Sequence, residues 1–151
     1  MKELKTYISE GFFNNVGANN IVKPVIDVIK DANMNNKINT HIERQKFADL
    51  LTPILKDLEA NIKKGKLAFE YVRNDGIAYI KTIISLEIDG LNDVRWSYTY
   101  GSKSIDYKNH ANAIAFIIAN DIYFETTFLA NDPKLRHSIA NTIKVTEFKV
   151  S

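Results

Sequence analysis

Residues 66 to 88, KLAFEYVRNDGIAYIKTIISLEI, constrain the fold more than any other stretch of this chain. Apolar side chains recur at every second position on both sides of Asp75-Gly76, a dipeptide suited to the positive φ of a tight hairpin turn. With those two residues as the loop, Glu70 faces Lys81 on the outer side. Leu67, Phe69, Tyr71, Ala78, Ile80, Ile84 and Leu86 then share the inner face. A hairpin with one apolar face is not stable alone in water, so other segments must cover it.

The flanking sequence supplies the cover. DGLND at Asp89 to Asp93 reads as a second turn, and VRWSYTY alternates Val94, Trp96, Tyr98 and Tyr100 against Arg95, Ser97 and Thr99, which predicts a third strand. Upstream, Thr40 and Glu43 have capping-box spacing. Phe47, Leu50, Leu51, Ile54, Leu55, Leu58 and Ile62 follow at helical intervals, with Pro53 expected to kink or divide the helix before Gly65. Asn20 is placed to cap an earlier helix through IVKPVIDVIKDA. Downstream, the mostly apolar run from Ser104 to about Leu129 predicts a long buried helix. Asp132-Pro133 opens a short one, and TIKVTEFKV closes the chain as a strand. The expected fold is α+β: N-terminal helices, an antiparallel three-stranded meander, a long buried helix, a short helix and a final strand joining the sheet.

At 151 residues the chain suits one domain spanning 1–151. Residues 1–19 read as a leader or first helix plus the turn-rich connector NNVGANN, 20–64 as helical and 65–151 as mixed sheet and helix. The absence of cysteine excludes disulfides and thiolate chemistry. Net charge is only +2 with lysines spread along the chain, so no specific nucleic-acid signal is present. The apolar runs fall short of the roughly 20 residues of a membrane span. No cofactor and no metal ligand set is expected, because no two histidines have the spacing of a zinc site.

Several polar groups are candidates for chemistry. Asp121 and Glu125 fall one turn apart on the predicted long helix, where two carboxylates can split their pKa values and act as acid and base. His110 shares their face but lies nearly three turns away, too far to touch either. His41 lies beside the capping box, whose capping role explains Glu43, and His137 stands alone. Gly101-Ser102-Lys103-Ser104 has the end of a phosphate-binding loop without its upstream glycine, and reads rather as a plain turn with Ser104 as N-cap. Trp96, Tyr98 and Tyr100 form an aromatic stripe for the core or for a protein interface, with Arg95 on the opposite face. Lys63, Lys64 and Lys66 make a small basic corner.

The N-terminus carries the sharpest functional signal. Leu4, Tyr7, Ile8, Gly11 and Phe12 fit an amphipathic helix. The run Met1-Lys2-x-Leu4-x-x-Tyr7-Ile8-x-Glu10-Gly11 also resembles the capsid-targeting leader of T-even phage internal head proteins, with Leu4 standing where that family has an aromatic residue. The resemblance implies that the leader carries the chain into the assembling prohead, and that the prohead protease cuts after Glu10 of Ile8-Ser9-Glu10. Abundant Ile, Lys and Asn, whose codons are AT-rich, agree with an AT-rich genome such as many phages have.

The implied function is that of a non-enzymatic bacteriophage virion-associated protein, head-packaged cargo that binds a host or virion protein. Its implied location is the capsid interior or the bacterial cytoplasm. Two alternatives stay open. The order of elements resembles that of phage neck or tail ring proteins, which implies a homo-oligomer, and the Asp121/Glu125 face would serve a small enzyme or ligand-binding domain.

Overall fold

The computed structural model describes residues 20–90, 92–128, 132 and 135–150. Among the described residues the helices and strands follow one another as α1 (Lys23–Met34), α2 (His41–Ala60), β1 (Lys64–Asn74), β2 (Tyr79–Asp89), β3 (Val94–Tyr100), β4 (Lys103–Lys108), α3 (Ala111–Phe128), α4 (Ser138–Thr142) and β5 (Lys144–Val150). The strands form one antiparallel sheet in the order β4-β3-β2-β1-β5. The fold is therefore α+β, and the meander has four strands where three were expected.

The fourth strand comes out of the stretch expected as helix. KSIDYK pairs with β3 over Arg95↔Lys108 to Tyr100↔Lys103, and the long helix starts only at Ala111. Gly101 to Ser104 is thus the β3–β4 hairpin rather than a loop entering a helix. Gly101 takes φ +57 there, a conformation glycine adopts without steric cost.

The first hairpin also departs from expectation, though its faces do not. Asn74 pairs with Tyr79, leaving a four-residue loop, and the register is two residues away from that of a two-residue turn. Asp75 Oδ1 accepts from the N–H groups of Ile77 and Ala78 at 2.9 and 2.7 Å, an Asx arrangement that widens the turn. Glu70 therefore lies opposite Ile83, and its ion pair with Lys81, at 3.4 Å, runs diagonally. An even shift keeps every side chain on its face, so Leu67, Phe69, Tyr71, Ile84 and Leu86 are fully buried as expected. Ala78 falls in the exposed loop, and Ile80 is half-buried.

Helix α2 is continuous through Pro53. The preceding Thr52 donates its hydroxyl to Ala48 O at 2.8 Å within that turn. The capping box forms, with Glu43 N donating to Thr40 Oγ1 at 3.1 Å and Glu43 Oε1 accepting from Asn39 N at 2.9 Å. The helix ends at Ala60, and Gly65 belongs to β1. A β-carbon on Gly65 would lie 2.2 Å from Lys149 O, so the close approach of β5 requires glycine. Helix α1 has Val22, not Asn20, at its N-cap, with Pro24 in its first turn. Helix α4 begins at Ser138, after a turn in which Leu135 N donates to Asp132 O; Pro133 lies outside the described residues.

The inner face of the sheet and the helices close one apolar core. Ile29, Leu51, Leu55, Leu58, Ile114, Ile118 and Ile122 meet Phe69, Leu86, Trp96 and Phe148 there. Burying each such side chain is worth about 1.5–3 kcal/mol. On the opposite face Lys66, Lys81, Glu87 and Arg95 are exposed.

Candidate functional site

Helix α3 is apolar on nearly all sides, and its buried set includes Asp121 and Glu125. The two carboxylates lie one turn apart, as their spacing predicts, and the face they share enters the core. Glu125 is fully buried and saturated with donors. Its Oε1 accepts from Asn33 Nδ2 at 3.0 Å and from Ile139 N at 3.4 Å; its Oε2 accepts from Asn74 N at 3.0 Å and from the Ser138 hydroxyl. One carboxylate thereby joins α1, the end of β1 and the start of α4 to α3.

Asn33 extends the joint. It donates to Arg136 O at 3.1 Å and accepts from Ala140 N at 2.8 Å, all while fully buried. Every polar atom of its amide that reaches into the interior has a partner, as buried amides require.

Asp121 has far fewer donors. The Tyr71 hydroxyl donates to its Oδ2 at 2.6 Å, and Arg73 Nε stands 3.7 Å from its Oδ1, an ion pair too long for a hydrogen bond. The Arg73 guanidinium lies over the Phe124 ring, its central carbon 4.8 Å from the centroid. Burial pushes the Asp121 carboxyl up to about 6, against the lowering by Tyr71 and Arg73, and the Glu125 charge adds to the rise. Glu125 is raised too, chiefly by burial, while its hydrogen-bond donors oppose the rise. Burial and the neighbouring Asp121 charge hold the Tyr71 phenol well above its ordinary value, and the same causes push Tyr98 up to about 12.

Acid–base chemistry needs a carboxylate that a substrate can reach. One cleft of about 480 Å³ opens among Lys64, Lys66, Glu87, Asp93, Arg95 and Lys149. A second, about 610 Å³, lies beside Glu59, Ile62, Ile88 and Val94, and a third of about 380 Å³ separates α2 from α3 at Ala48, Thr52, Tyr107 and Phe116. Asp121 and Glu125 line none of the three.

The other predicted groups scatter. His110 is exposed ahead of α3. His41 packs on the Tyr123 ring at 5.2 Å, and His137 Nε2 lies 3.2 Å from Asn36 Oδ1. Lys64 and Lys66 pair with Asp89 and Glu147 at 3.7 Å each. Trp96 is fully buried and donates Nε1 to Glu59 Oε2 at 2.6 Å; Tyr98 is 9% exposed and Tyr100 half-buried. The aromatic stripe thus faces the helices, which takes the core reading and leaves only Tyr100 near the surface. Lys2, Leu4, Tyr7, Ile8, Glu10 and Gly11 lie outside the described residues.

The cluster's remaining members, Asn33, Tyr71, Arg73, Asn74 and Ser138, carry little sequence signal. Asn33 sits in DANMNN, which reads as a helix break, yet α1 continues through it. Arg73 shares the parity of Phe69 and Tyr71 on β1, but nothing in the pattern marks it as a partner of Asp121. No helix among the described residues is long and apolar enough to cross a membrane. No protein family model, no curated protein and no solved structure matches this chain.

Proposed function

We propose that this chain is a non-enzymatic bacteriophage protein packaged with the virion, where it acts by binding a host or virion protein. The observation that carries the reading is the N-terminal run Lys2, Leu4, Tyr7, Ile8, Glu10 and Gly11, which resembles a prohead-targeting leader with its cleavage step at Glu10. The interior supports it indirectly. Of the carboxylate pair that would serve an enzyme, Glu125 is engaged instead in joining α1, β1 and α4 to α3, and its oxygens are spent on that joint.

Co-expression with the cognate prohead protease tests the proposal. The expected product begins at Gly11, as intact mass and N-terminal sequencing would show, and the same shortened chain is found inside purified particles. An uncut chain that is also absent from particles overturns the reading.

A further inference from the structure

We propose that two copies of this chain associate through β4, antiparallel about a two-fold axis at Ile105. The inference does not depend on the leader. It rests on the edge strand, whose residues Lys103 to Asp106 and Lys108 are exposed and whose Ile105 shows 42% of its surface. An open strand edge presents unpaired backbone donors and acceptors to another chain.

The backbone fixes which groups point outward. Asn109 N donates to Val94 O at 3.0 Å, one step beyond the Arg95↔Lys108 pair. Hydrogen-bonded pairs alternate along an antiparallel ladder, so the odd-numbered residues of β4 turn their N–H and C=O groups toward β3. Ser104, Asp106 and Lys108 turn theirs to the outer edge of the sheet, where no strand among the described residues lies.

Side-chain faces add a second restriction. Tyr98↔Ile105 and Trp96↔Tyr107 place Ile105 and Tyr107 on the helix-covered face, with Ser104 and Asp106 on the other. A second β4 that continues the sheet must match face to face, and of the registers overlapping most of the strand only those centred on Ile105 or on Asp106 do so. Centring on Asp106 sets that carboxylate against its own copy, and like charges directly opposite are destabilising.

Centring on Ile105 opposes no like charges. Ile105 meets the partner's Ile105 in a non-hydrogen-bonded pair, the kind with the closer side chains. Ser104 faces the partner's Asp106 in a hydrogen-bonded pair on each side of the axis, and Lys103 faces the partner's Tyr107. Lysines on an edge strand ordinarily discourage pairing; in this register Lys103 and Lys108 never meet each other.

Sedimentation equilibrium of the full chain provides the test, with cysteine variants to read the register. The expected species is a concentration-dependent dimer, lost in Ile105→Lys, whose exposed site leaves the fold and its circular dichroism unchanged. Because the chain has no cysteine, Ile105→Cys should oxidise to a covalent dimer and Asp106→Cys should not. A monomer across the micromolar to millimolar range overturns the proposal. So does an assembly larger than a dimer, a dimer that survives Ile105→Lys, or faster cross-linking by Asp106→Cys.

Discussion

Asp121 and Glu125 are separated by one turn of the same helix and both are buried, yet the fold treats them differently. Glu125 collects donors from three other elements, two of them backbone N–H groups that would otherwise be unpaired. Asp121 has a single hydrogen bond and a long ion pair. A buried charge costs free energy unless its lone pairs are filled. Glu125 therefore acts as a joint, whereas Asp121 is a charge carried into the core with only partial compensation.

Removing the joint is the strongest way to break this contrast. Glu125→Ala leaves the Asn33 amide, the Ser138 hydroxyl and the Asn74 N–H buried without their acceptor. At 1–3 kcal/mol for each unpaired buried donor, the cost is about 4 kcal/mol or more. For a chain of this size that corresponds to a fall in Tm of roughly 8–16 °C. Thermal unfolding followed by circular dichroism measures it; a loss under about 1 kcal/mol would mean that the donors find water or other partners.

Asp121 is exposed by pH rather than by truncation. Its folded pKa, about 6, lies above the ordinary 3.8, so the folded state binds the proton more tightly than the unfolded chain. The associated stability is fully present below 3.8 and is lost as pH rises through about 6. The gap is worth about 3 kcal/mol between those limits. Asp121→Asn keeps an acceptor for Tyr71 and removes the titration. Urea unfolding at pH 4 and pH 7.5 should show wild type gaining about 2–3 kcal/mol relative to this variant at the acid end. Asp31 and Asp75, whose pKa values are lowered, act in the opposite sense but are common to both proteins and cancel. Equal profiles would place Asp121 in a wetter setting than the core around Tyr71.

The same contrast marks what the sequence made legible. Period two placed the inner face of β1 and β2 correctly even though the turn was two residues longer, because an even shift conserves the faces. Helical spacing put Asp121 and Glu125 on one face of the helix, but it did not show that this face is buried. It could not distinguish them, since the donors that set Glu125 apart come from Asn33, Asn74 and Ser138, residues on other elements whose approach only the tertiary fold decides. Strand β4 was hidden for a different reason. Ile105 and Tyr107 do alternate with Ser104 and Asp106, but two apolar residues on an exposed edge are outweighed by the long apolar run that follows them. Trp96 and Tyr98 read correctly as a shared face, and burial against α2 through Glu59 settled what that face meets.

The smallest effect expected is at one spoke of the joint. Ser138→Ala deletes a donor to Glu125 Oε2 but leaves Asn74 N on the same oxygen, and Asn33 Nδ2 and Ile139 N on the other. The carboxylate remains partnered, so only one charge-assisted bond is lost and the cost should be about 1.5 kcal/mol, the lower end for such bonds. Because that donor holds the Glu125 pKa down, its loss should raise the pKa further above the ordinary value and steepen the gain in stability on acidification. Urea unfolding of Ser138→Ala across the same pH range reads both quantities. A cost approaching that of Glu125→Ala would show that the four donors act as one cooperative unit, with Ser138 setting the position of α4 against β1.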